Sequence, residues 1–215
     1  MSFGMTSVRT RTRMIERLRA QGISHEGVLA AMFEVPRHQF VDEALAQRAY
    51  DESALPIGSG QFISAPYIVA RMLELLMGQS KKLPKILEVG TGCGYQTALL
   101  AHLATEVYSV ERIGSLLTKA RQRLWSLKLS HIRLVHADGY LGLDSVAPFD
   151  GIIVAAAPLT VPETLKKQLI LGARLVIPVG SEHMQRLAVI EKCLNDFILL
   201  EYDPVRFVPL VKETM

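Results

Sequence analysis

Three glycines alternate with other residues in Glu88-Val89-Gly90-Thr91-Gly92-Cys93-Gly94, overlapping the apolar run Ile86-Leu87-Glu88-Val89. Without a Cβ, glycine lets the main chain come close to a ligand where a strand turns into a helix. A pyrophosphate-binding turn uses the spacing G-x-G-x-x-G. Here the third glycine comes one residue early and Tyr95 follows it, so a dinucleotide fits poorly. A second apolar run, Val107-Tyr108-Ser109-Val110, ends in Glu111. That acid lies about 20 residues beyond the first glycine, where a carboxylate meets two ribose hydroxyls. Asp138-Gly139 closes a third run and offers a polar point for an adenine amino group. Glu88 is placed to organise the loop from within the first strand.

Polar points at three successive strand ends read together as an S-adenosylmethionine site, formed by Gly90, Thr91, Gly92, Glu111, Asp138 and Gly139. An NAD-dependent oxidoreductase is the weakest alternative, because the glycine spacing is wrong and no hydride-transfer partner is evident. Cys93, Cys193 and the six histidines have no metal-ligand spacing, so no metal is expected.

These residues need a scaffold, and 215 residues with 49% apolar and 21% charged side chains suffice for one domain with a full core. A net charge of +3, without a clustered basic stripe and interleaved aromatics, argues against nucleic acid. No run approaches the roughly 20 apolar residues of a membrane span. Cytoplasmic location and a monomer are the default expectations. Arg9, Arg11, Arg13, Arg17 and Arg19 faintly suggest a transit peptide. Val8, Met14, Ile15 and Leu18 instead give them the pattern of a helix with a solvated face, stopped at Gly22.

Helices are expected over 8–21, over 25–34 with Ser24 as cap, over 42–48 and over 65–77, with Ser64 before Pro66 as a candidate cap. Between them, 51–66 reads as a long functional loop without periodicity of its own. Strands at 86–89, 107–110, 132–136, 151–154 and 174–178 alternate with helices at 95–104, 115–127 and 162–168. Continuous apolar strands in such alternation mean a parallel sheet covered on both faces. The stretches 186–191, 197–202 and 206–211 read as antiparallel strands finishing one edge. The organisation expected is therefore a single α/β domain. It comprises a loose tail at 1–6, a helical cap and substrate loop at 7–79, a cofactor-binding core at 80–180 and C-terminal strands at 181–215.

The chain resembles the protein-L-isoaspartate O-methyltransferase family. The residues carrying the resemblance run from Val35-Pro36-Arg37, Leu55-Pro56-Ile57-Gly58 and Gly60-Gln61-Phe62-Ile63-Ser64-Ala65-Pro66-Tyr67 through the glycine loop. They continue in Val110-Glu111-Arg112, Ala137-Asp138-Gly139, Ala147-Pro148-Phe149-Asp150, Val176-Ile177-Pro178-Val179-Gly180 and Val205-Arg206-Phe207-Val208-Pro209-Leu210. The glycine loop is common to many methyltransferases; the segments around Ser64 and Phe207 are far more specific. The resemblance implies a Rossmann-like sheet with a rearranged C-terminal strand order. It also implies methylation of the free carboxylate of isoaspartyl residues in damaged proteins and peptides, leading to repair. On the same basis Gln61, Phe62, Ile63, Ser64, Glu88 and Arg112 join the cofactor contacts, Ser64 is catalytic, and Ile57, Val205, Arg206, Phe207 and Val208 meet the substrate.

Carboxylate methylation suits such a site, since the nucleophile is already ionised at neutral pH and needs no strong base. A hydroxyl can orient one carboxylate oxygen while the other attacks. Three positions depart from the family pattern: Phe62 and Ala155 stand where threonine is usual or frequent, and Ala65 where bacterial members commonly have glutamine. Phe62 places a bulky ring beside the methyl donor and is expected to reshape the acceptor pocket. It keeps two alternatives in view, a methyltransferase with another acceptor and a cofactor-binding module with little catalysis.

Overall fold

The computed structural model describes residues 8–129 and 131–215; the tail expected at 1–6 lies outside the described residues. The arginine-rich segment forms α1 (Val8–Ala20), with Met14 and Leu18 fully buried. Burying one such side chain stabilises by about 2 kcal/mol. At its end Gly22 has φ 95° and Ile23 N–H donates to Leu18 C=O, which satisfies a terminal carbonyl as the expected stop requires.

The cap of α2 (Glu26–Glu34) is His25, whose ring accepts the Val28 N–H at 3.2 Å. Ser24, the expected cap, is used elsewhere. Its N–H and hydroxyl both donate to Glu74 of α3 (Pro66–Met77), at 2.7 and 3.2 Å, tying two helices of the cap together. Between α2 and α3, residues 43–48 form the expected short helical piece, as a 3-10 helix. The expected structureless loop contains a small antiparallel hairpin, β1 (Leu55–Gly58) and β2 (Gln61–Ile63). Positive φ at Ser59 (52°) and Gly60 (68°) gives the tight two-residue turn whose twist suits a hairpin. Each strand is too short for its alternation to show in the sequence.

The main sheet has seven strands in the order β5-β4-β3-β6-β7-β8-β9. These are β3 (Leu83–Val89), β4 (Ala104–Glu111), β5 (Ile132–His136), β6 (Phe149–Val154), β7 (Leu169–Ser181), β8 (Met184–Lys192) and β9 (Phe197–Val205). The first five are parallel and the last two pair antiparallel along one edge. Helices α4 (Tyr95–Leu103), α5 (Gly114–Ser126) and α6 (Glu163–Lys167) connect the parallel strands. Ile86 and Val107 pack toward α1–α4, whereas Leu87, Val89, Tyr108 and Val110 pack on the opposite face. Period-two alternation thus places Glu88 on the cap side, in register with Ser109.

Because β3 lies between β4 and β6, the chain leaves it in opposite directions on successive crossovers. A crevice opens at such a reversal, outside the carboxyl ends of the strands. Two local expectations are corrected. β7 begins at Leu169 and runs through Gly172, where φ is 79° and the pairing with β6 shifts register. Residues 206–211 do not form a further ladder strand; they cross the sheet end, joined to it by a parallel bridge between Ala157 and Pro209.

Candidate active site

The crevice holds a cavity of about 1000 Å³ walled by the glycine loop, the β1–β2 hairpin and the 204–211 segment. Gly90 and Gly92 adopt φ 96° and 54°, which other residues rarely do. A Cβ at Gly90 would meet Ala155 at 3.3 Å, and one at Gly92 would meet Ile57 at 3.3 Å. Gly90 and Thr91 donate their N–H groups to Val110 C=O, at 2.8 and 3.3 Å, and Gly94 donates to Thr91 C=O at 2.9 Å. Gly92 N–H goes to Glu111 at 2.8 Å. With these donors consumed inside the protein, the loop has little left for a pyrophosphate. It still lies close enough to pack against a ligand.

Glu111 ends β4 and is 5% exposed. Each carboxylate oxygen accepts one main-chain N–H, from Gly92 and from Ile113 (2.9 Å). Lone pairs remain on both oxygens for two neighbouring hydroxyls, so the group fits a ribose edge.

Glu88 and Asp138 lie beside the cavity, not on its wall. Glu88 is fully buried and accepts hydrogen bonds from Thr97 and Ser109, both at 2.5 Å, and from Gln96 at 3.1 Å. Ser109 also meets the Thr91 hydroxyl at 2.6 Å, which links the carboxyl to the loop above it. Burial pushes the Glu88 carboxyl up to about 7, against the three hydrogen bonds that lower it. Asp138 caps a short turn through Tyr140 N–H at 2.8 Å and receives the Glu213 N–H at 3.0 Å. Its neighbour Gly139 forms the wall, where a Cβ would come within 2.3 Å of Val89. Arg112 lines the same end and donates to Glu213 C=O at 3.0 Å, while its own carbonyl accepts Met215 N–H at 2.7 Å.

On the opposite wall stand Ile57, Gln61, Phe62, Ile63 and Ser64. Phe62 is 54% exposed, so its ring is a rim feature. Ser64 does not cap α3; the cap residue is Ala65, without a side-chain hydrogen bond. Among the described residues the Ser64 hydroxyl has no partner, and the Ser64 carbonyl is held by Arg37 at 2.6 Å. Val205, Arg206, Phe207 and Val208 complete the third wall. Every site residue expected from the sequence except Glu88 and Asp138 therefore reaches one cavity.

Arg37 and Gln185 had no assigned role. Arg37 is fully buried, donates to Ala49 C=O at 2.6 Å and lies 4.8 Å from the Tyr95 ring centroid. Burial lowers its pKa from the ordinary guanidinium value, with Tyr95 opposing the shift. Gln185 is 5% exposed and grips Phe207 from β8. Nothing in their sequence neighbourhoods signals this, since the partners lie 12 and 27 residues from Arg37 and 22 from Gln185.

The chain is similar to named relatives and to a solved structure over nearly its whole length. A protein from Azoarcus sp. (strain BH72) named protein-L-isoaspartate O-methyltransferase is 59% identical over 206 residues, covering 96% of this chain and 94% of its own length. A Dechloromonas aromatica (strain RCB) protein of the same name is 56% identical, covering 98% and 97%. A crystal structure from Plasmodium falciparum, described as a protein-L-isoaspartate O-methyltransferase in complex with S-adenosyl-L-homocysteine, superposes with a TM-score of 0.82. It is 27% identical and covers 93% of this chain and 97% of that one. The model of the family described as Protein-L-isoaspartate(D-aspartate) O-methyltransferase (PCMT) matches residues 9–215, and this chain belongs to that family.

Proposed function

We propose that this protein methylates the free carboxylate of isoaspartyl residues in damaged proteins and peptides, using S-adenosylmethionine. The observation that carries the reading is the meeting of Ser64, the glycine loop, Glu111 and the 205–208 segment on one cavity. Relatives above 50% identity over nearly the whole chain support it.

Gly90, Thr91, Gly92, Glu111, Arg112 and Gly139 would hold the cofactor's nucleoside end, with Gln61, Phe62, Ile63 and Ser64 nearer the transfer point. Asp138 and Glu88 would act from behind the wall, Asp138 toward the adenine side and Glu88 by fixing the loop. When bound, S-adenosylmethionine would supply an electrophilic methyl group for a carboxylate oxygen, its sulfonium leaving as the neutral thioether. Ser64 would donate its hydroxyl proton in a hydrogen bond to one acceptor oxygen and so aim the other. Ile57 and Ile63, both buried or nearly so, would provide an apolar surround that strips water from the carboxylate and sharpens its nucleophilicity. Neither a strong base nor proton transfer from the acceptor is required.

The 206–208 main chain would hold the acceptor peptide by strand addition. On this reading a single chain takes up isoaspartyl proteins in the cytoplasm, without nucleic acid. No helix among the described residues is long and apolar enough to cross a membrane.

Labelled S-adenosylmethionine tests the reading with an isoaspartyl peptide and its aspartyl twin. Base-labile label in the first alone is expected. Label in neither, with cofactor bound, would assign the exposed Phe62 rim to another acceptor or to a binding module.

A further inference from the structure

Beyond Val205 the last strand leaves the ladder, and the chain crosses the sheet end to the bridge between Pro209 and Ala157. Gln185 pairs with Val205 through the β8–β9 register, and its side chain continues the pairing where the main chain stops. Its amide N–H donates to Phe207 C=O at 3.1 Å, and its amide oxygen accepts Phe207 N–H at 2.7 Å. Those are the two bonds a facing residue of a neighbouring strand would make.

In an extended segment consecutive residues turn their N–H and C=O groups to opposite sides. With Phe207 facing Gln185, its neighbours face the other way. There Val208 C=O accepts Ala157 N–H at 2.8 Å and Leu210 N–H reaches Ala157 C=O at 2.9 Å. One step earlier the ladder is interrupted, because Ala155 N–H is committed to Val89 of β3 at 2.8 Å. Arg206 N–H, Arg206 C=O and Val208 N–H therefore have no hydrogen-bond partner among the described residues, and both residues line the cavity.

We infer that Gln185 is a positioning residue for the acceptor, setting which main-chain groups of the 206–208 segment face the incoming peptide. It touches no reacting atom. A one-residue rotation of this segment would present Phe207 groups instead and leave the bound peptide without its main-chain partners. The inference rests on strand addition of the peptide at this segment.

The test uses the full chain and isoaspartyl peptides in which one main-chain amide at a time is replaced by an ester. In the wild type the KM penalty should concentrate at one position, about fivefold for a lost hydrogen bond. Gln185→Leu should raise KM for the parent peptide about tenfold, with kcat and cofactor Kd within about twofold, and should erase the ester penalty. Gln185→Glu keeps the acceptor for Phe207 N–H and loses the donor, so it should fall between the two and covers the case in which the leucine variant does not fold. An ester penalty that survives intact in both variants overturns the role of Gln185 and leaves strand addition standing. Absence of a penalty at every position in the wild type overturns strand addition and the inference with it.

Discussion

The Arg37 guanidinium donates to the Ser64 carbonyl at 2.6 Å from a position with no solvent exposure. A fully buried cation thus holds the main chain of the residue proposed to orient the acceptor. It holds Ala49 C=O with another nitrogen, bridging the helical cap to the hairpin's exit. Replacing it by methionine leaves the buried Ala49 carbonyl and the half-buried Ser64 carbonyl unpaired, and about 2–4 kcal/mol of stability should be lost in urea unfolding. Arg37→Lys restores the charge but not the two-carbonyl grip, so it should fold and still turn over more slowly. Equal turnover for wild type and Arg37→Lys would show that Ser64 needs no such anchor.

Ser64→Ala removes a hydroxyl that neither caps α3 nor bonds elsewhere among the described residues. Turnover should fall about tenfold or more while cofactor affinity and melting temperature hold. A variant that loses stability and keeps its kcat would return Ser64 to a purely structural role.

Glu111→Ala removes the two acceptor oxygens proposed for the ribose and also frees the N–H groups of Gly92 and Ile113. Cofactor Kd should rise at least about tenfold by calorimetry, corresponding to roughly 1.4 kcal/mol. An unchanged Kd would remove the ribose assignment.

Phe62 stands 54% exposed at the rim, so Phe62→Thr should alter stability by less than about 0.5 kcal/mol. Its effect belongs in kcat/KM for an isoaspartyl peptide. Identical kinetics would mean that the ring does not shape the acceptor pocket.

Glu88 carries a pH dependence of defined sign. Its folded carboxyl titrates at about 7, above the ordinary 4.5. Between those values the folded state keeps a proton that the unfolded chain has released. The Glu88 contribution to stability is therefore fully present below the ordinary value, falls as pH rises toward about 7 and is flat beyond. Glu88→Gln, which stays neutral, should gain on the wild type over that window. Parallel stability curves for the two proteins between about pH 5 and pH 8 would contradict the assignment.

The sequence by itself determined the alternating α/β core and the glycine loop. The loop and Glu111 close β3 and β4, whose carboxyl halves are buried and mostly apolar, and a buried parallel strand leaves that signature whatever surrounds it. Stop signals such as Gly22 are local in the same sense, because one residue's conformational freedom decides them. Tertiary structure decided the rest. Ser24 and His25 compete to cap α2, and the carboxylate of Glu74, fifty residues away, draws the serine off. The hairpin at 55–63 has strands of three and four residues, too short to show a period. Residues 206–211 look like one more ladder strand, yet Gln185 and Ala157 hold the segment from two sides across the sheet end. Arg37 acquires its role only when Ala49 and Ser64 converge on it. These outcomes depend on partners distant along the chain, which the order of residues lists but does not bring together.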